Sequence, residues 1–382
     1  MPVWHNATKA LQDSHKVRFV GIIQEQHPDR CKLFMQWKRM EWPILIDSLN
    51  LLDVSAVPIL LGIDEQGIVR RLPRDPARLE EEFLKVEYPA VVPPTPRDPF
   101  DSQSADLVRA HKLILTRDED KLDKAIKLYS HAVQTDPGDG HTHFRLGVAY
   151  RMRYDSDQRQ IGDFQKAVAQ WQNALDTNPN QYIWRRRIQQ YGPLLDKPYP
   201  FYDWVETARK EIIARGETPA KLIVEPGGAE LAGRGAFSPS KGATEPDAQG
   251  RITRDGSPLI DIQTVVVPAV IKPGETARVH VVMRPNVKAK GHWNNEAGEL
   301  AVWINPPQGW EVDRRLLGHD NAATDVSGET REVEFEVRAP SDAKPGAQKL
   351  SAYALYYVCE DVNGTCLYRR QDLSVDVTVR TR

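Results

Sequence analysis

The chain has 382 residues, with 51 basic against 53 acidic side chains and a formal net charge of −2. That length implies two to four domains, each with its own core, and the near-neutral balance removes the electrostatic case for nucleic acid or an anionic membrane as partner. No apolar run approaches the roughly 20 residues that span a bilayer, the opening residues carry no signal-peptide core, and three cysteines are too few for a disulfide scaffold.

In chain order, the first element is Lys16–Gln24 (KVRFVGIIQ), a β-branched run of the kind that forms a buried strand. Asp29 is expected to cap the amphipathic helix RCKLFMQWKRM. The strand WPILID follows, then Val57-Pro58, the strand ILLGID, a turn at Glu65-Gln66-Gly67, the strand IVRRL and a closing helix over about Ala77 to Val86. This is α/β order.

At Val57-Pro58 followed by ILLGIDEQGIVRRL, the segment resembles the thioredoxin-like fold, in particular its redoxin members. The resemblance implies that Pro58 is a cis-proline standing before a strand that ends in D-x-x-G. It also implies a further central strand and a CxxC, which would fall upstream of Pro2–Leu11. Either those lie in a preceding portion, with a secretion signal, or the domain is a non-catalytic relic. The strands around Val17–Ile23 and Ile59–Ile63 would flank the vacant position. Cys31, alone on its helix, reads as a small apolar residue rather than a nucleophile.

Five prolines between Pro89 and Pro99 make a stiff spacer. Beyond it a period emerges: Ala125, Tyr129, Ala132 and Pro137, then Ala167, Trp171, Ala174 and Pro179, with Leu146-Gly147 and Tyr150 between. These residues resemble the tetratricopeptide repeat, in which small residues let paired helices approach and aromatics fill the gap. Asp203 and Glu206 suggest a capping box for a last helix that Gly216 ends. The resemblance implies either a partner-binding surface, with Tyr129, Tyr150 and Trp171 as its candidate residues, or a rigid spacer. His141 and His143 have the spacing of a metal pair but no third ligand nearby, and a packing or surface role is expected.

Val224–Pro258 is rich in glycine, proline and small polar residues and is expected to be flexible; it matches no phosphate-binding motif. From Leu259 the pattern is all-β: IDIQTVVVPAVI, ARVHVVMRP, ELAVWINPP, REVEFEVRAP, KLSAYALYYV and LSVDVTVR, with Pro-Gly turns at Pro273-Gly274 and Pro345-Gly346. The alternation over Glu332–Val337 predicts Val333, Phe335 and Val337 inward and Glu332, Glu334 and Glu336 on a wet face. Asn363-Gly364 favours a hairpin turn, which sets Cys359 opposite Cys366 as one redox unit. Glu360 and Asp361 beside Cys359, and Arg369 and Arg370 beyond Cys366, point to Cys366 as the attacking sulfur. Tyr356, Tyr357 and Tyr368 either shield the pair or pack in the fold.

Together with the lead-in at Lys272–Thr276, Gly291–Asn294 and the Tyr356, Cys359, Gly364, Cys366 pattern, this region resembles the amino-terminal domain of DsbD, the thiol:disulfide interchange protein, and related immunoglobulin-like domains. The resemblance implies a pair that cycles between dithiol and disulfide; the other reading is a permanent structural bond.

The expected organisation is therefore α/β, all-α and all-β in series: a thioredoxin-like domain over 1–88, a proline-rich linker over 89–103, tetratricopeptide helices over 104–223, a flexible linker over 224–257 and an immunoglobulin-like sandwich over 258–382. The expected function is thiol-disulfide exchange through Cys359 and Cys366 with other redox or client proteins, in an extracytoplasmic, periplasmic compartment, without cofactor or metal. The alternative is a non-enzymatic scaffold with a structural disulfide. No motif of a hydrolase is present.

Overall fold

The computed structural model describes residues 2–90, 103–195, 201–231, 237–240, 242–256, 258–361 and 364–381. Helices and sheets are mixed along the chain, and two compact units divide it. One comprises Met1–Gln158, Asn173–Arg186 and Tyr202–Glu225; the other Arg159–Gln172, Arg187–Phe201 and Pro226–Arg382. The proline-rich stretch expected as a spacer falls largely outside the described residues.

In the first unit, helix α1 (Pro2–Asp13) buries Trp4 in a cluster with Met40, Trp42, Leu79 and Phe83. Strand β1 (Gly21–Ile23), helix α2 (Pro28–Lys38) and strand β2 (Ile44–Ile46) follow, with β1 and β2 pairing in parallel. The cap of α2 is His27, not Asp29. Pro28 takes the first helical position, where a missing N–H costs nothing, and moves Asp29 into the first turn, where its charge still favours the helix.

Strands β3 (Gly62–Ile63) and β4 (Val69–Arg70) form a hairpin around the expected turn: Asp64 accepts from the Gln66 and Ile68 N–H groups, and Gly67 has φ +80°. The longer strands expected here do not form. Ile59, Leu60 and Leu61 are exposed and outside any ladder, because β1–β2 and β3–β4 are separate two-stranded sheets with no described strand beside them. The expected closing helix is a 3-10 turn over Pro76–Arg78 and a π turn over Glu80–Leu84 that carries Phe83 into the core.

Helices α3 (Ala105–Leu115), α4 (Leu122–Thr135) and α5 (Gly140–Tyr154) then pack through small residues: Ala110, Ala125 and Ala149 are fully buried. Helices α6 (Asp163–Thr177) and α7 (Tyr182–Gln189) each contribute residues to both units. Helix α8 (Trp204–Ala214) buries Val205, Ala208 and Ile212 against Leu33 of α2. Its expected capping box is absent: Asp203 is already helical and makes no cap bond, while Glu206 pairs with Arg209 at 2.9 Å. Gly216, at φ +78°, does end the helix.

Gly140 shows how tight the helical packing is. A Cβ there would lie 2.0 Å from Thr177 Oγ1 and 2.8 Å from the Trp184 ring. Gly140→Ala is therefore expected to cost about 1–3 kcal/mol in urea unfolding by overpacking. Gly138→Ala, whose Cβ would meet only Asp136 Oδ1 at 3.3 Å, should cost far less.

In the second unit all six runs expected of its carboxyl part form strands, the first run giving two, and four short strands join them. In order the described strands are β5 (Ile260–Val267), β6 (Val270–Ile271), β7 (Thr276–Pro285), β8 (His292–Asn294), β9 (Leu300–Asn305), β10 (Glu311–Val312), β11 (Leu316–His319), β12 (Val326–Ser327), β13 (Arg331–Arg338), β14 (Gly346–Cys359) and β15 (Cys366–Val379). One sheet runs β10-β13-β7-β5; the other runs β11-β9-β14-β15-β6, with β8 pairing both β14 and β12. Both sheets share one core, in which Val279, Val281, Phe335 and Val337 of the first meet Val302, Ala354, Tyr356 and Val377 of the second.

Two expectations about this unit are corrected. The glutamate face of β13 is wet only at one end: Glu332 is exposed, as expected, but Glu334 is half-buried and Glu336 buried. Phe164, Gln165 and Leu194 lie against this sheet, with Gln165 accepting from the Val266 N–H, Phe164 edge-on to His280, and the Leu194 N–H donating to Glu336. The stretch before β5 is not free of the sheet either. Asp247 is buried, its carboxylate 2.8 Å from Arg370 Nη1, and Ile252 packs against Trp303, Tyr353 and Leu355 on the outer face.

Candidate functional site

Strands β14 and β15 pair in register along their full length, from Gly346↔Val379 to Cys359↔Cys366. Alternation sends Leu350, Ala352, Ala354, Tyr356 and Val358 into the core, so the odd-numbered residues of β14 face outward. The cysteines stand on that outer face at the end of the hairpin, joined in a disulfide with Cα atoms 4.0 Å apart. The Glu360 N–H donates to the Thr365 carbonyl just beyond them, and Gly364 N–H to the Asp361 carbonyl. Asn363, the other half of the expected turn, lies outside the described residues.

The two sulfur-bearing residues differ in access. Cys359 is fully buried, whereas Cys366 is exposed. The reason is the strand order: β14 is flanked at this point by β8 and β15, with Cys359 opposite both His292 and Cys366, while Cys366 has no described strand on its other side. Cys366 is therefore the accessible half of the bond and Cys359 the enclosed half.

The expected charge support for Cys366 is not built. Arg369 donates to the Tyr368 carbonyl at 3.3 Å, and Arg370 is spent elsewhere, 2.8 Å from both Asp247 and Asp372 and stacked over the Tyr353 ring, four residues along the strand from the sulfur. Exposure, not a neighbouring cation, distinguishes Cys366. The three tyrosines divide between the two expected roles. Tyr356 is in the core, its hydroxyl donating to Asp255 at 2.9 Å and its ionisation pushed up by burial. Tyr357 and Tyr368 stack at 4.3 Å on the outer face, the next cross-strand pair along from the disulfide.

The other expected site residues are elsewhere. Val57–Pro58 is a cis peptide bond, as expected of Pro58. Tyr129 and Trp171 are fully buried, so neither can present a surface to a partner: the Tyr129 hydroxyl is 2.7 Å from His111 Nδ1 and Trp171 stacks on Tyr191. Their size fills inter-helix gaps, which the repeat pattern itself implies. Tyr150 is half-buried. Cys31 is half-buried, and burial, then Glu25, pushes its thiol up, away from the thiolate. His141 bonds Asp53 at 3.1 Å and His143 the Pro137 carbonyl at 3.0 Å, so they are not a ligand pair.

One cluster had no sequence signal beyond alternation. His280 Nδ1 lies 2.8 Å from both Glu332 and Glu334, with all three ligand-type atoms within 4.8 Å of one another. The set has the residue types of a metal site, but Arg278 already pairs with Glu334, and the imidazole also donates from Nε2 to the Tyr191 carbonyl at 2.8 Å. A carbonyl can only accept, so Nε2 carries a proton, and Nδ1 facing two carboxylates carries another. Burial alone would lower the pKa of His280, but the hydrogen bonds to Glu332 and Glu334 outweigh it and raise it to about 9. For Glu334, burial is outweighed in turn by His280 and Arg278, which hold its carboxyl well below the usual range. The cluster is an ion network around the buried His280 that joins β7 and β13 to the Tyr191 carbonyl.

No family model matches the chain, and no curated protein matches it. Among solved structures, the sporulation control protein Spo0M of Bacillus subtilis is 10% identical over 33% of this chain and 51% of its own, with a TM-score of 0.17. The chain thus spans about half of Spo0M. The fimbrial subunit AggA of Escherichia coli is 12% identical over 34% of this chain and 98% of its own, at a TM-score of 0.19. The alkylpurine DNA glycosylase AlkC of Pseudomonas fluorescens is 12% identical over 72% and 68%, at a TM-score of 0.17. At such scores these likenesses carry no argument about fold or function.

Proposed function

We propose that this chain is a modular thiol-disulfide exchange protein of an extracytoplasmic redox system, passing electrons through Cys359 and Cys366 to or from partner proteins. The observation that carries the reading is the asymmetry of the pair: an exposed sulfur at the end of a hairpin, bonded to a buried one. Exchange needs one accessible sulfur to be attacked and a second that leaves and later returns to resolve the mixed disulfide. A bond whose role is only to staple a loop has no use for that asymmetry. The compartment follows from the chemistry, because a disulfide of this kind persists where the surroundings are oxidising.

Three resemblances support the modular part. The cis Val57–Pro58 bond and the Asp64–Gly67 turn fit a thioredoxin-like segment. The buried Ala125, Tyr129, Ala167, Trp171 and Ala174 fit tetratricopeptide helices. Two sheets around one core, ending in a cysteine-bearing hairpin, fit an immunoglobulin-like domain similar to the amino-terminal domain of DsbD.

The test is the reduction potential of the full chain, equilibrated in glutathione buffers and quenched by alkylation. An exchanging pair is expected above about −300 mV. A bond that stays closed below that value would sink the proposal and leave a scaffold with a structural disulfide.

A further inference from the structure

The disulfide has a third neighbour in its row. On the outer face of the sheet, His292 of β8 stands directly opposite Cys359, which in turn stands opposite Cys366. Trp293, the next residue, is in the core, so His292 shares the outward face with both cysteines. Directly opposed residues bring their Cβ atoms to about 4.5–5.5 Å, within reach of an imidazole. The Nδ1 atom of that imidazole lies 2.9 Å from the Lys290 carbonyl, which can only accept, so Nδ1 carries a hydrogen and Nε2 is the nitrogen left for the sulfur.

Building on the exchange reading above, we infer that His292 is the proton donor to the Cys359 sulfur. A thiolate of a dithiol partner attacks Cys366 Sγ. The new S–S bond forms there, the Cys359–Cys366 bond breaks, and its electron pair goes to Cys359 Sγ. This sulfur is buried, where an unpaired thiolate is disfavoured. Imidazolium Nε2–H gives it the proton, leaving a thiol and a neutral ring. The partner's second thiol, losing its proton to water, then attacks the partner sulfur of the mixed disulfide. Cys366 leaves as a thiolate and takes a proton from water, and the partner departs oxidised. Two electrons pass to the pair, which ends as two thiols, and the ring regains its proton from solvent.

Among the described residues, the charged and titratable groups around this row include Lys290 and Asp361, paired at 3.2 Å, the exposed Glu360, and the Tyr357–Tyr368 stack. Strand β12, on the far side of β8, brings only Val326 and Ser327. None of these is placed opposite Cys359 as His292 is.

The experiment is reduction of the oxidised full chain by dithiothreitol from pH 5.5 to 9, with rates normalised to the attacking thiolate, for wild type, His292→Asn and His292→Gln. Asparagine keeps a donor for the Lys290 carbonyl but has no second ring nitrogen from which to deliver a proton. Both variants are expected to react about tenfold more slowly at the acid end of the range, since a leaving thiol of lower basicity leaves faster, and to converge on wild type at the alkaline end. Wild-type rates in His292→Asn at every pH would overturn the inference. An equal slowing at every pH would overturn it too, by making the role structural. A wild-type disulfide that dithiothreitol does not open would instead strike at the exchange reading itself.

Discussion

Serine in place of Cys359 is expected to turn the protein into a trap for an oxidised partner, while serine in place of Cys366 should abolish capture. With Cys359→Ser, the exposed Cys366 thiol can still attack a partner disulfide, but no second sulfur is left to resolve the product, so the mixed disulfide accumulates. With Cys366→Ser the remaining thiol is the fully buried one, in a strand with neighbours on both sides, and has no route to a partner. The ratio of covalent adducts, read by mass spectrometry after incubation with oxidised thioredoxin-type protein, is expected to exceed about a hundredfold, as the attacking step requires an accessible thiolate. Both variants also lose whatever the bond contributes to stability, about 2–3 kcal/mol for so short a loop. Comparing them at matched, native-like conditions removes that common term. Equal capture by the two, or capture by Cys366→Ser alone, would contradict the assignment of Cys366 as the attacking sulfur.

How much of this was legible in the sequence depends on whether a residue's partners are near in the chain. The Cys359–Cys366 register was readable because a hairpin is a local object: alternation, a turn signal and two equidistant cysteines suffice. The buried alanines and aromatics of α4 and α6 were readable for the same reason, since a helical period is a local pattern. Arg370 failed because its partner, Asp247, lies 123 residues earlier in a stretch whose composition suggested only flexibility. The wet face of β13 failed in part: Glu332 is exposed as expected, but nothing local announces that His280 will pair with Glu334 or that the Leu194 N–H will reach Glu336. The expected strand through Ile59–Leu61 failed for the opposite reason. Its β-branched run is real, but a strand exists only with a neighbour, and none is beside it among the described residues. His292 was legible only after the register was known, because its significance is to stand two strands from Cys366 in one row.

The buried ion network should impose a pH dependence on stability that runs downward on the alkaline side. His280 is raised to about 9 in the folded chain by Glu332 and Glu334, against an ordinary value of 6.5. Between those two values the folded state holds a proton that the unfolded state has released, so raising the pH favours unfolding. The contribution is fully present below about pH 6.5 and is lost as the pH climbs through about 9; a rise of that size corresponds to about 3 kcal/mol. The carboxyl of Glu334, held low, acts in the other direction only in acid: its contribution is present above the ordinary carboxylate range and is lost as the pH falls. Replacing His280 by alanine leaves two carboxylates facing each other with Arg278 alone to offset them, and strips the Tyr191 carbonyl of its donor. That is expected to cost about 2–4 kcal/mol at pH 6, measured by urea unfolding of the full chain, because a half-dismantled buried network is worse than an apolar one. The same variant should lose the alkaline slope, so that wild type and His280→Ala approach each other by pH 9.5. A constant gap between them across this range would mean that His280 is neutral in the fold and that its two glutamates hold a proton between them.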